Sequence, residues 1–242
     1  MESGTTLCIS SQVGCKMGCI FCETGRMGLL KNLRADEIVA QLFIAQFQLK
    51  IKVRNIVFMG MGEPLDNYDE VMQAVKILMD PKGIGLGPSR ITISTSGVVP
   101  RIYQLMEEEP PALNLAVSIN APNDLIRNKI MLINRQWDMA ALKKALQAYC
   151  VHPRRQIFAE YVLMRGIHDS LECADELASY LTGLSLKVNL IPYNSRSRDR
   201  FMPPEIEVQE SFMNHLRHRG YQVYCVIIKG SRSWPLAANL EF

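Results

Sequence analysis

The sequence predicts an α/β protein built on a parallel sheet. Short β-rich runs alternate with longer segments of helical period along the chain. No low-complexity segment or linker-like tract interrupts this alternation, and 242 residues suit one large domain. Such alternation produces parallel strands with right-handed crossovers, in an open doubly wound sheet or in a full or partial barrel. We therefore expect a single domain over residues 1–242.

Six βα units are predicted in chain order, because each apolar, β-branched run is followed by an amphipathic segment. The strands are expected at about Thr5–Ser10, Asn55–Met59, Arg90–Ser94, Asn114–Ile119, Ile157–Leu163 and Lys187–Ile191. The helices are expected near Ala35–Leu49, Tyr68–Met79, Val99–Glu108, Met139–Tyr149, Ser170–Leu181 and Pro204–Arg217. One further strand is expected at Tyr221–Ile228.

Composition and charge exclude several classes of protein. Hydrophobic residues make up 48% of the chain and charged residues 21%, which is typical of a globular domain. No run reaches the roughly 18 apolar residues that a membrane span needs. The start, "MESGTTLCIS", has neither a basic nor an apolar signal region, so we expect a cytoplasmic protein. The net charge of +3 permits a nucleic-acid partner but does not imply one.

The cysteines favour a metal or redox site, since an odd, clustered set in a reducing compartment argues against a disulfide framework. Four of the seven lie between residues 8 and 22, and the last three are spaced as C-x3-C-x2-C. Three thiolates suit either part of a zinc site or three irons of a four-iron cluster. No second ligand pair follows, although Cys8 can close a zinc site, so structural zinc stays the lesser alternative.

The first predicted strand places the cysteine loop. Thr6, Cys8 and Ser10 share one face of this strand, and Leu7 and Ile9 share the other. Functional groups of β/α barrels collect at the carboxyl ends of the strands, which is where the cysteine loop begins. We therefore expect the loop at the mouth of a barrel, with Cys8 directed inward.

The motif "CKMGCIFC" resembles the signature of radical S-adenosylmethionine (SAM) enzymes. The resemblance implies a partial (β/α)6 barrel with one extra C-terminal strand. It also implies a [4Fe-4S] cluster held by Cys15, Cys19 and Cys22, with SAM on the remaining iron and Phe21 against the adenine. Packing of the loop is the alternative role for Phe21. In that family, reduction cleaves SAM to methionine and a 5′-deoxyadenosyl radical.

Five further stretches resemble the RlmN/Cfr branch of ribosomal RNA adenine methyl synthases and cover about residues 4 to 230. They are "CISSQVGC", "NIVFMGMGEPLDNYDEV", "RITISTSGVVP", "LAVSINAPND" and "KVNLIPYN". The resemblance implies that Gly62 and Glu63 receive the amino group of SAM, although this turn has a purely structural alternative. The other implied SAM contacts are Ser94, Ser118, Asn120 and Asn194. Asn120 stands where the branch usually has histidine.

The sequence departs from that branch in its methyl-carrying cysteine, whose position falls on Ala237. Cys225 lies twelve residues earlier and is a poor substitute, whereas Cys8 matches the branch's second mechanistic cysteine. The chain begins seven residues before Cys8, so we expect the N-terminal accessory domain to be missing. The arginines 196, 198 and 200 follow Asn194 and suit either an anionic ligand or a solvated loop.

These observations predict a radical SAM enzyme that cleaves SAM and abstracts hydrogen from an unidentified substrate. The alternative is RNA (rRNA or tRNA) adenine methylation by a variant route, for example through Cys225. A second alternative is a catalytically inactive SAM- or RNA-binding module. The implied partners are a flavodoxin- or ferredoxin-like one-electron reductant and a substrate for which RNA is one candidate. We expect no membrane contact and infer no obligate protein partner.

Overall fold

A computed structural model describes residues 5–107, 113–195 and 200–225 of the chain. Its strands are β1 (Thr5–Cys8), β2 (Gln12–Gly14), β3 (Leu29–Asn32), β4 (Val53–Phe58), β5 (Ile91–Thr95), β6 (Asn114–Ser118), β7 (Ile157–Leu163), β8 (Leu186–Pro192) and β9 (Gln222–Cys225). Its α-helices are α1 (Glu23–Met27), α2 (Ala35–Phe43), α3 (Tyr68–Met79), α4 (Val99–Glu107), α5 (Asp124–Ile130), α6 (Met139–Tyr149), α7 (Leu171–Leu181) and α8 (Ile206–His218). A π-helical segment (Ile44–Gln48) extends α2, and 3₁₀ turns span Pro88–Arg90 and Leu132–Arg135.

Seven parallel strands form a curled half-barrel, in the order β1-β4-β5-β6-β7-β8-β9. The predicted partial barrel with one additional strand is therefore confirmed, and the six predicted βα units are all present. The predicted last strand starts one residue later, and its continuation past Cys225 lies outside the described residues. Because every connection joins two parallel strands, the carboxyl ends of the strands meet at one rim of the half-barrel.

The helices form where the sequence combines an apolar stripe with a suitable cap. Along α3, residues at helical spacing are buried against the sheet, among them Val71, Val75 and Leu78. The Asp138 and Ser170 side chains accept hydrogen bonds from the first turns of α6 and α7. Within the described residues, none of the helices is long and apolar enough to cross a membrane.

The two faces of the half-barrel differ in polarity. Leu7 and Ile9 on β1 pack into the helix-side hydrophobic core, and so do the alternating apolar residues of β4 to β8. Cys8 consequently lies on the inner face, as the sequence predicts. Polar side chains occupy much of that face, including Asn55, Thr92, Ser94, Ser118, Glu160 and Asn189. An inner face of this composition is suited to ligands rather than to close packing.

The sequence pattern did not predict two elements near the rim. The antiparallel β2–β3 hairpin encloses the cysteine loop, and α5 follows β6. Both are short, and the exposed pattern of β3 offers no period-two burial signal. They matter because they position the residues of the candidate site.

Candidate active site

The cysteine loop lies between the two strands of the β2–β3 hairpin. The Cys15 amide donates to the Gly28 carbonyl at 2.9 Å, and the Cys22 amide donates to the Cys19 carbonyl at 3.1 Å. The Ile20 amide donates to the Ile130 carbonyl at the end of α5, also at 3.1 Å. These bonds fix the loop against the rim by its backbone, which leaves the thiols available as ligands.

The three thiols of this loop are close enough to influence one another electrostatically. Burial raises the pKa of Cys19 to about 12, and the neighbouring Cys22 and Cys15 thiols raise it as well. Burial likewise raises the pKa of Cys15 to about 11, with smaller contributions from Glu63 and Cys22. Clustered, desolvated thiols lose their protons readily only beside positive charge, and a metal centre supplies such charge.

The geometry bears differently on a single ion and on a cluster. Among residues 5–107, 113–195 and 200–225, no three His, Cys, Asp or Glu side chains converge as ligands of one metal ion. A structural zinc ion needs such convergence, because its ligands all bind one centre. In a four-iron cluster each thiolate binds a different iron, so the three sulfurs need not converge. The spacing of three thiolates along one loop is compatible with the larger group.

The turn after β4 approaches the cysteine hairpin closely. Gly62 has φ +105°, and a Cβ atom added there would lie 2.6 Å from Cβ and 2.9 Å from the backbone nitrogen of Gln12. Residues with a side chain rarely adopt this backbone conformation and would collide with Gln12. Glycine at position 62 is therefore required for the turn and the hairpin to meet.

Glu63 is buried beside this turn and is held by named donors. Its Oε2 accepts from the Ser96 amide at 2.7 Å and from the Ser96 hydroxyl at 2.8 Å, and its Oε1 accepts from the Leu65 amide at 3.1 Å. Burial raises the pKa of this carboxyl, and the bonds from Ser96 oppose that shift. The carboxyl is thus oriented by the protein before any ligand arrives.

Amide side chains tie the Glu63 turn to the hairpin. Gln12 Oε1 accepts from the Glu63 amide at 2.8 Å, and Gln12 Nε2 donates to Asn32 and Asp66 at 2.8 and 3.0 Å. The Asn67 side chain donates to the carbonyls of Ser11 and Leu33. Turn and hairpin therefore behave as one rigid unit.

Arg127 on α5 is a residue that the sequence analysis missed. Its side chain is buried and donates to the carbonyls of Ser96, Ser118 and Ile119 and to the Asn134 side chain, at 2.7 to 2.9 Å. Its charge also lowers the pKa of Cys19, although less than burial raises it. Arg127 therefore joins the ends of β5 and β6 beside the cysteine loop. The sequence signal that could have identified Arg127 is an arginine among the apolar positions of a short helix.

The remaining predicted SAM contacts occupy different positions at the rim. Ser94 and Ser118 are half-buried on the inner face, and Asn194 is exposed just after β8. Asn120 is buried with φ +54°; its side chain accepts from the Val162 amide and donates to the Met131 sulfur. Phe21 is half-buried against the core. Their contacts with SAM stay predictions, and the Asn120 side chain already has protein partners.

The other cysteines differ in the face they occupy. Cys8 lies on the inner face, and burial raises the pKa of its thiol to about 11. Cys225 shares a strand face with Val223, which is in the helix-side core. Partial burial raises the pKa of the Cys225 thiol, and the charge of Arg217 on α8 opposes that shift. Cys225 therefore lies on the opposite side of the sheet from Cys8. Ala237 and the arginines 196 and 198 lie outside the described residues, and Arg200 is exposed.

Comparisons with known proteins agree with this geometry. Residues 9–178 match the model of the radical SAM superfamily. The chain belongs to the radical SAM superfamily. It is 54% identical to a probable dual-specificity RNA methyltransferase RlmN 1 of Protochlamydia amoebophila, over 99% of this chain and 67% of that protein. It is 44% identical to a dual-specificity RNA methyltransferase RlmN of Ruthia magnifica, over 89% of this chain and 61% of that protein.

A solved structure also resembles this radical SAM chain throughout. The crystal structure of a radical SAM methyltransferase from Sphaerobacter thermophilus superposes with a TM-score of 0.91 and 42% identity, over 95% of this chain and 68% of that one. The resemblance to the RlmN-like branch is thereby confirmed. The chain spans roughly two thirds or less of the length of the curated relatives named above.

Radical SAM proteins use a [4Fe-4S] cluster and SAM, and the residues of this chain suit both. Three sulfur donors lie together on one loop. The Gly62 backbone leaves no room for a side chain, and the Glu63 carboxyl beside it is a preorganised acceptor for an ammonium group. Both features lie at the rim where β/α barrels hold their cofactors.

Proposed function

We propose that this chain holds a [4Fe-4S] cluster through Cys15, Cys19 and Cys22 and binds SAM across the adjoining strand ends. The observation that carries the proposal is the location of three interacting thiols at the same rim as the oriented Glu63 carboxyl. When bound and reduced, the cluster supplies the electron that cleaves SAM to a radical able to take hydrogen from a substrate. The reductant has flavodoxin or ferredoxin chemistry, and a cytoplasmic setting keeps the thiols reduced.

The protein residues orient the cofactor in this proposal. Glu63 accepts a charge-assisted hydrogen bond from the SAM ammonium, and Gly62 lets the turn that carries Glu63 pack closely against Gln12. Ser94 and Ser118 provide hydroxyls on the inner face, and Asn194 closes the rim after β8. Arg127 fixes the strand ends that carry these groups. Cys8 lies on the same inner face and is the thiol available to a bound substrate.

RNA is the substrate class that we propose, because the relatives named above are RNA methyltransferases. RNA methylation is the second candidate reaction and rests on the same relatives, whereas adenine as its target rests on the resemblance of the five sequence stretches to the RlmN/Cfr branch. A methyl-carrying thiol must reach the inner rim, and Cys225 lies on the helix side of the sheet. We therefore do not propose Cys225 as the carrier, and hydrogen abstraction is the reaction that we propose.

Anaerobic reconstitution tests the cluster. We expect about four irons and four sulfides per chain, and loss of the cluster in Cys15→Ala, Cys19→Ala or Cys22→Ala. The matched control is Cys173→Ala, which removes a partly buried thiol from α7 and leaves the loop intact. Reduced protein with its cluster should convert SAM to 5′-deoxyadenosine. Stoichiometric zinc without iron uptake would refute the proposal.

The same incubation with methyl-labelled SAM separates the two candidate reactions. We expect no label on Cys225, because its side chain faces α8 rather than the rim. Labelled S-methylcysteine at Cys225, together with S-adenosylhomocysteine, would restore the methyl synthase by that route. A label on RNA in a Cys225→Ala variant would support methylation through another carrier.

A further inference from the structure

A cavity of about 320 Å³ opens on the inner face of the half-barrel at the amino-terminal ends of the strands. The lining residues include Asn55 of β4, Asn114 at the start of β6 and Gln156 just before β7. This is the opposite end of the strands from the cysteine loop. The cavity is therefore separate from the site proposed for the cluster and SAM.

Three cationic side chains from different elements surround this cavity. Arg90 ends the 3₁₀ turn before β5, Arg154 belongs to the loop between α6 and β7, and Lys187 is the second residue of β8. Among the described residues, no aspartate or glutamate lines the cavity. Arg90 donates to the Asn55 side chain at 3.2 Å, and Lys187 Nζ lies 5.8 Å from the centre of the Phe158 ring.

The cavity cations differ in their pairing from several other cations of the described residues. Elsewhere in the described residues, cations such as Lys16, Lys31 and Arg165 pair with carboxylates. None of the three cavity cations forms an ion pair within the part of the chain that the structure describes. Like charges around one cavity repel each other, and an anion bound between them converts that repulsion into attraction.

The other lining groups and the volume narrow the class of anion. The amides of Asn114 and Gln156 and the hydroxyl of Thr92 are neutral donors beside the cations. Phosphate oxygens accept from arginine, lysine and amide groups at once. A free phosphate or a phosphomonoester carries close to two negative charges at neutral pH, whereas each phosphate of an RNA backbone carries one. Three cations around a recessed cavity favour the more highly charged, compact ligand.

We propose that this amino-terminal cavity binds a small phosphate-bearing anion through Arg90, Arg154 and Lys187. The site is independent of the proposed radical chemistry. Inorganic phosphate and pyrophosphate are the probes, and isothermal titration of the chain with its cluster measures their affinity at low ionic strength. We expect saturable binding of one anion per chain that weakens as salt is added.

Charge-removing variants identify the residues responsible. Arg154→Gln and Lys187→Gln should each weaken phosphate binding about tenfold or more, because each removes a charge-assisted hydrogen bond. The matched controls are Arg135→Gln and Lys144→Gln, which remove exposed cations that do not line the cavity. Arg154 is exposed, so its variant should keep the wild-type melting temperature and separate binding from folding.

Three outcomes would overturn the proposal. The first is the absence of saturable phosphate or pyrophosphate binding. The second is equal weakening by the cavity variants and the control variants. The third concerns the source of the phosphate. In this outcome a short oligoribonucleotide without terminal phosphates binds to the chain, and the cavity variants weaken the binding of that oligoribonucleotide. Free phosphate does not compete with it. That result would assign the cations to an RNA backbone.

Discussion

The two ends of the half-barrel differ in whether their polar side chains have protein partners. At the carboxyl end, the buried side chains of Glu63, Gln12 and Arg127 are held by hydrogen bonds to neighbouring loops. At the amino end, Arg90, Arg154 and Lys187 face a cavity whose lining, among the described residues, includes no carboxylate. A buried charge needs protein partners, because leaving it unpaired costs several kcal/mol. A charge in contact with water is hydrated and remains available for a ligand.

This difference predicts where substitutions change stability and where they change binding only. Residues of the carboxyl end hold one another in place, so removing one leaves its partners buried without hydrogen bonds. Removing a charged side chain at the amino end loses only the hydration of that side chain or its contact with a bound anion. Substitutions at the two ends should therefore differ most in their effect on the free energy of unfolding.

Arg127→Met should cause the largest loss of stability. The change keeps a long apolar stem but removes the donors to three carbonyls and to Asn134 in a buried location. Each buried acceptor left unsatisfied costs about 1–3 kcal/mol, so we expect a loss of at least about 4 kcal/mol. Urea unfolding measures it.

The matched control for Arg127 lies at the amino end. Arg90→Gln removes an equally charged side chain that is exposed, and it should change the free energy of unfolding by less than about 0.5 kcal/mol. Equal losses in the two variants would show that the contrast between the two ends is wrong.

Gly62→Ala should cause the next largest loss, at about 3 kcal/mol. The added Cβ meets Gln12 at 2.6 Å, and alanine is strained at φ +105°. Gly87→Ala is the control, since no atom lies within 4 Å of the added Cβ and the backbone φ is −67°. That control should be neutral or slightly stabilising, because alanine restricts the unfolded chain. Thermal unfolding of both variants provides the measurement.

The comparison of the two ends also shows what the sequence could reveal. Strand alternation was sufficient for six βα units on a parallel sheet, and the period of two placed Cys8 on the inner face, because those features depend on local burial. The choice of a partial barrel over an open sheet came from the resemblance of the cysteine motif to the radical SAM signature. The loop motif was sufficient for the cysteine group, since its members are close in the chain.

The residues that sequence analysis missed depend on contacts between distant segments. Arg127 donates to the carbonyls of Ser96, just after β5, and of Ser118 at the end of β6. Ser96 orients a carboxyl that lies 33 positions earlier in the chain. The amino-terminal cavity draws its cations from three separate elements. No spacing rule marks such residues, because the tertiary fold alone brings them together.

Glu160 lies between the two ends and gives the smallest of the expected changes. On the inner face of β7 it is flanked by Ser118 of β6 and Asn189 of β8, and Asn189 Nδ2 donates to its Oε1 at 2.9 Å. Burial raises the pKa of this carboxyl from 4.5 to about 7, and the bond from Asn189 opposes that shift. Glu160 thus has fewer partners than Glu63 and more burial than the amino-end groups.

The folded state binds more protons than the unfolded chain between pH 4.5 and 7, because the pKa of Glu160 is raised by folding. Stability should therefore fall as pH rises through this window, by up to about 2 kcal/mol between pH 5.5 and pH 8. Glu160→Gln removes the ionisable group and should lose this dependence, so that it exceeds the wild type in stability at pH 8. Urea midpoints at the two pH values measure it, with the exposed Glu210→Gln as control. An unchanged pH dependence in Glu160→Gln would mean that this carboxyl ionises in the folded protein as easily as in water. The inner face would then be as hydrated at the middle of the half-barrel as at its amino end.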